Sequence, residues 1–388
     1  MKASLFFSLL TATMPLLATA PLSAQETTAW TTATVNGVEY ISLNSIQSFY
    51  KLSAVDNKGK TSQKIIRNSD FSLGLTAGQR EITISGYRVQ LSVPVLQDEQ
   101  GELYISETDF VKVIDPILRP TYITERREIK TVIIDPGHGG ADQGNKTPAD
   151  TESAYTLKVA TELAESLKAQ GFNVVLTRNG NYSVNDAQRV ELAKNTPNAL
   201  FISLHLNAGR SDMAGIETYT AAPLMPGKRT MECHRHDATN MALAFALHTH
   251  LVFHTKAYDR ACRRAHYTLL NTLNCPSAMV LLGYTTNEKE ATDLATDAYR
   301  AAIVKSLTGA IVTFRETIRP GAQIVNPEPI KVEPTVTQPT PPQEEQKKQA
   351  ESSKKKSEPA KKQTKKTNKK KSDKKSSTKK YGKSRKRR

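Results

Sequence analysis

Three side chains in this 388-residue chain have the types and surroundings to hold a metal ion: His138, Glu152 and His205. His138 follows the β-branched run Val132 to Ile134 and stands among Pro136, Gly137, Gly139 and Gly140. These residues permit a tight turn and a close backbone approach at the end of a buried strand. Glu152 opens a run with Leu157, Ala160, Leu163, Ala164 and Leu167 at helical spacing. His205 stands near the end of the apolar run that starts at Ala199. Two imidazoles and one carboxylate leave a fourth zinc position open for water, as hydrolytic zinc sites require. Zinc lowers the pKa of that water and polarises a carbonyl under attack. Each residue also has a plainer reading. A histidine after a strand is commonly a turn residue, and an acid in a first helical turn suits the helix dipole.

Bringing the three together requires alternating strands and helices. The pattern predicts strands at Val132–Ile134, Asn173–Thr177, a run ending at His205, and Ala278–Leu282. It predicts helices from Glu152, around Asp186–Lys194, from Ala238 to His254, and near Tyr299–Thr317. Such alternation implies an α/β fold with a mixed or largely parallel sheet and flanking helices. His at a strand's carboxyl end is where open sheets of this kind place ligands. His248, His250 and His254 lie on the long helix without a His-Glu-x-x-His arrangement, and read as surface or packing residues.

At this point the chain resembles a known family, the zinc-dependent N-acetylmuramoyl-L-alanine amidases of the amidase-3 type. The resemblance runs from about Lys130 to Arg315. It includes Asp135-Pro-Gly-His-Gly-Gly140, Glu152, Ser203-Leu-His-Leu-Asn-Ala208, Gly215-Ile-Glu-Thr-Tyr219, Asp259 to Tyr267, and Cys275 to Asn287. It implies that His138, Glu152 and His205 hold one zinc ion per chain. It implies a hydrolase for the amide bond between N-acetylmuramic acid and L-alanine in peptidoglycan, with an open cleft. Asn207 and Arg264 are candidate contacts to that substrate.

One position departs from the resemblance. The family carries a glutamate two residues before the Gly of a Gly-Phe-like pair, thought to act as general base and acid. Alignment on Pro276, Gly283, Tyr284 and Asn287 puts Leu281 there. Leucine neither takes nor gives a proton, so the expectation is a slow enzyme. The alternative is a catalytically impaired, zinc-binding relative that binds peptidoglycan or regulates a true amidase. Glu217, Glu288 and Glu290 are the weaker replacement candidates. Asn287 is expected to cap the next helix, with Glu290 closing a capping box.

The rest of the chain frames this region. Residues 1–24 read as a secretory signal peptide, with one lysine, an apolar run, and small residues up to Ala24. The mature protein is expected to be exported, periplasmic or extracellular and associated with the envelope, without a transmembrane segment. Residues 25–128 show short β-rich runs broken by turns. This segment resembles the copper amine oxidase N-terminal-like domain, a small β-rich α+β fold. It lacks clustered metal ligands and reads as a copper-free positioning or binding module. The amidase region is set at residues 129–318. Three cysteines, Cys233, Cys262 and Cys275, allow one disulfide and one free thiol, or no bond. Cys233, His234 and His236 read as a polar loop rather than a metal site. Residues 319–388 form a Pro-rich linker and a Lys-rich, disordered tail. From Pro341 onward, twenty-one basic and five acidic residues account for the whole +16 net charge. Such a tail suits anionic envelope polymers or lipid head groups, and nucleic acid less so given the export signal.

Overall fold

The computed structural model describes residues 30–55, 62–147, 150–224 and 231–322. The expected signal peptide, most of the Pro-rich linker and the basic tail lie outside the described residues.

The N-terminal segment builds strands β1 (Thr32–Val35), β2 (Val38–Ser42), β3 (Ser53–Val55), β4 (Gln63–Arg67) and β5 (Ser72–Thr76). It continues with β6 (Glu81–Ile84), β7 (Tyr87–Gln90), β8 (Leu96–Gln97) and β9 (Leu103–Ser106). Short helices α1 (Leu43–Phe49), α2 (Glu107–Asp109) and α3 (Asp115–Leu118) accompany them. The following region alternates β10 (Thr131–Pro136), α4 (Glu152–Ala169), β11 (Asn173–Leu176), α5 (Asp186–Lys194) and β12 (Ala199–Asn207). Then come β13 (Ile216–Ala221), α6 (Asp237–Thr255), β14 (Asp259–Ala265), α7 (Thr268–Thr272), β15 (Ser277–Tyr284), α8 (Glu288–Leu294) and α9 (Asp297–Ile318).

Strands β11, β10, β12 and β15 are parallel neighbours, and β13 runs antiparallel to β15. The sheet does not stop at the sequence boundary near residue 128. Strand β14 lies parallel to β13 and also pairs with β7, Cys262 opposite Val89. One sheet of eleven strands thus runs from β11 through β14 into the meander β7-β6-β5-β4-β3. Strands β1, β2, β9 and β8 form a second sheet.

The period of two along each strand sorts the large sheet into two faces. Val132, Ile134, Leu200, Ile202, Leu204, Ala278, Val280 and Leu282 join the main core with residues of α4, α6 and α9. Full burial of each Val, Leu or Ile side chain among these contributes about 1.5–3 kcal/mol. Ile133, Phe201, Met279 and Leu281 face the other way, into a smaller cluster with Ala193 of α5 and Leu269 and Leu270 of α7. Asp135, Ser203 and His205 alternate onto this second face, so the chemistry lies where the cover is thin.

Buried polar groups lock the N-terminal strands to the rest. The Asp259 carboxylate accepts from the Arg88 backbone N–H at 2.8 Å and bonds His248 Nε2 at 2.9 Å. His248 is fully buried, while the rings of His250 and His254 meet at a tilt of 55°, centroids 6.0 Å apart, on the outer part of α6. Arg264 on β14 donates to Asp237 at the start of α6, and to Ser92 Oγ at 3.0 Å. Asp109 lies 3.7 Å from the same guanidinium. All three cysteines are free thiols, so the disulfide option falls away. No helix among the described residues is long and apolar enough to cross a membrane.

Candidate metal centre

Three elements converge on one end of the sheet. Strand β10 delivers His138 two residues past Pro136, in a left-handed backbone conformation with φ of 61°. A non-glycine residue is strained there, as is common where function fixes the backbone. Gly137 makes the approach possible, because a Cβ on it would overlap the His205 imidazole. Thr151 caps α4, its side chain accepting from the Ala154 N–H, and the cap sets Glu152 as the first helical residue. Strand β12 presents His205 beside β10, the pairing of Asp135 with Ser203 fixing the register.

The ligand atoms of His138, Glu152 and His205 all lie within 4.8 Å of one another. Among the described residues this is the one such cluster of three His, Cys, Asp or Glu side chains. His138 Nε2 is 3.1 Å and His205 Nδ1 is 3.0 Å from Glu152 Oε1. The imidazoles meet edge to face with centroids 5.0 Å apart. Glu152 is fully buried, and its oxygens also accept from the N–H groups of Leu206 (2.9 Å) and Asn145 (2.9 Å) and from Asn145 Nδ2 (2.8 Å). Burial alone would raise the Glu152 pKa, but bonds from His138, His205 and the backbone outweigh it and hold the carboxyl well below its usual range. The bond to Glu152 chiefly raises the His138 pKa to about 9, against its partial burial. A proton there occupies the position a cation would take. A buried anion facing two imidazoles therefore fits a divalent ion, and nitrogen plus carboxylate donors suit zinc. Asp142 bonds His138 Nδ1 at 2.8 Å and so fixes the ring with Nε2 turned inward.

Of two supporting residues, Asp135 stood inside the turn motif Asp135 to Gly140 without an assigned role, and Arg178 had no signal in the sequence beyond its charge. Arg178, fully buried, donates to the carbonyls of Pro136 (3.0 Å), Gly137 (2.8 Å) and Ser153 (2.7 Å). It ties the histidine turn to the start of the glutamate helix. Asp135 accepts from Thr177 (2.6 Å), Arg189 Nε (2.7 Å) and Ser203 (2.7 Å), bracing three strands and α5.

An open cleft of about 610 Å³ surrounds the three ligands. Its walls include Asn207, Leu281 and Met279, and His266 and Tyr267 from the loop after β14. Leu281 is registered directly opposite His205 on β12 and Glu217 on β13. The position beside His205 is therefore apolar, and Leu281 packs into the cluster with Leu269 and Met279.

Two of the three replacement carboxylates are otherwise engaged, and the third lies outside the cleft lining. Glu217 accepts from Tyr219 (2.7 Å), Arg260 Nε (2.9 Å), Tyr284 (2.9 Å) and Asn207 Nδ2 (3.2 Å). Burial works to raise its pKa, yet these donors bring it below the usual range. It is a saturated anion that orients Asn207 toward the cleft. Glu290 is buried and accepts from the N–H groups of Gly215 and Tyr284, both at 2.7 Å. Burial raises its pKa. Asn287 caps α8 as expected, but Glu290 does not close a capping box, because its carboxylate is spent on those two N–H groups. Glu288 is exposed on the first turn of α8. Arg264 also needs correction as a substrate contact: its side chain is 1% exposed and held by Asp237. In the Cys233 loop, His234 bonds the Leu273 carbonyl at 2.7 Å and His236 bonds Glu125 at 2.9 Å, as a polar loop does.

Comparison with known proteins finds a family match over the region that carries these residues. Residues 132–313 match the family described as N-acetylmuramoyl-L-alanine amidase, Amidase_3. The chain is 27% identical over 187 residues to the uncharacterised protein YqiI of Bacillus subtilis, covering 48% of this chain and 85% of that one. It is 28% identical over 189 residues to the probable cell wall amidase LytH of Staphylococcus epidermidis, covering 48% and 58%. Among solved structures, the catalytic domain of the N-acetylmuramoyl-L-alanine amidase CwlV from Bacillus (Paenibacillus) polymyxa is 25% identical. That match covers 49% of this chain and 99% of the other, with a TM-score of 0.43. The chain thus spans little more than half the length of LytH. The family match and the match to LytH support an enzyme of the N-acetylmuramoyl-L-alanine amidase class, with cell wall amidases among its relatives.

Proposed function

We propose that the protein is an exported zinc hydrolase that cleaves the amide bond between N-acetylmuramic acid and L-alanine in peptidoglycan. The observation that carries this is the buried Glu152 facing His138 and His205 inside an open cleft. When bound by these three residues, zinc supplies an acidified water and polarises the carbonyl of the amide. The chain's own residues do the rest. Asp142 orients His138, Glu217 orients Asn207 toward the substrate, and Arg178 keeps the ligand turn and helix in register. The direct test is incubation of the purified full chain with sacculi, measuring newly freed alanine amino groups. Release that disappears on chelation and returns with zinc is the expected result. No release at any zinc level sinks the reading.

Leu281 supports a second reading, that of an impaired relative which binds peptidoglycan or regulates another amidase. A positioned acid or base contributes ~10²–10⁴-fold. We therefore expect slow turnover in the wild type with full zinc content. Leu281→Glu should raise turnover with zinc unchanged, since its side chain enters the cleft beside His205. The thermal midpoint must be followed alongside, because a Glu among Leu269 and Met279 is partly desolvated. A folded Leu281→Glu protein no faster than wild type would show that this position has lost its catalytic role.

The Lys-rich tail fits a sequence-independent anchor for anionic envelope polymers or lipid head groups. Binding to sacculi should weaken steeply as salt rises. A chain ending at Arg319 should keep its melting temperature and its rate on soluble muramyl peptides. Salt-sensitive sacculus binding that survives in the shortened chain places the anchor elsewhere.

A further inference from the structure

The reaction needs a group that moves a proton between the attacking water and the departing nitrogen, and Leu281 cannot be it. The cleft's carboxylates, its two ligand histidines and its arginine are committed. His138, Glu152 and His205 face one another, and Asp142 holds His138. Asp135 accepts three bonds, and Arg189 is spent on Asp135 and the Val184 carbonyl. Asp186 is half exposed and pairs with Arg189 at 3.5 Å. His266 differs. It is exposed on the cleft wall, and among the described residues no protein group hydrogen-bonds its imidazole.

The loop that carries His266 is fixed rather than free. Tyr267 stands edge-on against Tyr219, centroids 5.4 Å apart, and Tyr219 is bonded to Glu217, the cross-strand partner of Leu281. Two residues further, Leu269 enters the same apolar cluster as Leu281 and Met279. The loop is thus pinned on both sides over the segment of sheet where the carboxylate is missing. Imidazole is the side chain whose ordinary pKa suits both taking and giving a proton near neutrality.

We propose that His266 is the acid–base residue of this amidase, standing in from the cleft wall for the group absent at Leu281. This rests on the amidase reading above. In the step, the water oxygen bonds to the lactyl carbonyl carbon and one water proton passes to the free imidazole nitrogen. The C–N bond then breaks with its electron pair going to nitrogen, and the imidazolium returns the proton there. The products are the lactyl carboxylic acid and the free alanine amine, which exchange a proton through solvent to reach carboxylate and ammonium. No oxidant or further reactant is needed.

The test uses the full, zinc-loaded chain with a soluble muramyl peptide. His266→Ala should lower kcat ~10²-fold or more. Zinc content, melting temperature and the Kd for the product N-acetylmuramic acid should stay the same, the Kd by calorimetry. Free imidazole in the buffer should restore part of the lost rate, a rescue that a purely structural side chain would not give. A His266→Ala protein as fast as wild type overturns the proposal. So does a loss of rate matched by an equal loss of N-acetylmuramic acid binding, which makes His266 a substrate contact only. If the wild type itself frees no alanine amino groups, the amidase reading fails, and the role of His266 with it.

Discussion

Glu152→Ala should reduce zinc from about one ion per chain to near none and abolish hydrolysis, a loss of ~10³-fold or more. The carboxylate is the one anionic ligand of the three and sits fully buried between the imidazoles. Without it, two neutral rings face a doubly charged ion in a partly desolvated site. The substitution also strands donors. The N–H groups of Leu206 and Asn145 lose their acceptor, at about 1–3 kcal/mol for each that water does not reach. Glu152→Gln separates the two effects. Its amide oxygen can still accept from the backbone, so the melting temperature should recover while zinc does not. Metal analysis of both purified variants, with thermal melts, is the measurement. Full zinc in Glu152→Gln would mean that the ion is held elsewhere.

The three candidate ligands were visible in the sequence because each lies in a local pattern, and the family resemblance grouped them into one site. A β-branched run ending in Pro and Gly, an acid at the head of an amphipathic run, and a polar group ending an apolar run each report their own element. The helix predicted over Asp186–Lys194 is found there, and the one opening at Glu152 runs to Ala169. What escaped was long-range. Arg178 binds carbonyls on both sides of the ligand turn, yet nothing near it in sequence marks it as more than a surface arginine. The pairing of β14 with β7 joins residues far apart in the chain, and no periodicity encodes a partner. Glu290 looked like half of a capping box by spacing, but tertiary N–H groups from Gly215 and Tyr284 offered it better bonds. Leu281 shows the opposite case: spacing located it, and only the register revealed that Glu217 stands next to it across the sheet.

Arg264→Met should destabilise the whole described fold by about 3–5 kcal/mol, the usual cost of breaking a buried charge pair from one side. The guanidinium links β14 to Asp237 at the head of α6 and to Ser92 of the N-terminal segment, close to Asp109. The two carboxylates then fare differently. Asp109 keeps its bonds from the Ser92 and Val93 N–H groups and the Ser106 hydroxyl. Asp237 keeps only the weak Cys233 thiol donor among the described residues; one of its oxygens has no partner there, and burial pushes its pKa up, against the pull of Arg264. Arg264→Met should therefore leave Asp237 to fold protonated. Its stability loss should shrink as pH falls below neutrality, because the neutral acid costs less to bury. Adding Asp237→Asn should recover a large part of the loss at pH 7, and a urea melt of both variants reads this directly. The same melt tests how the N-terminal strands and the amidase region are coupled. Tyr87–Gln90 and Asp259–Ala265 share one sheet, so fluorescence of Trp30 and circular dichroism should report a single transition in the wild type. Two separated transitions, with Arg264→Met shifting neither, would show that the ion pair does not hold the segments together.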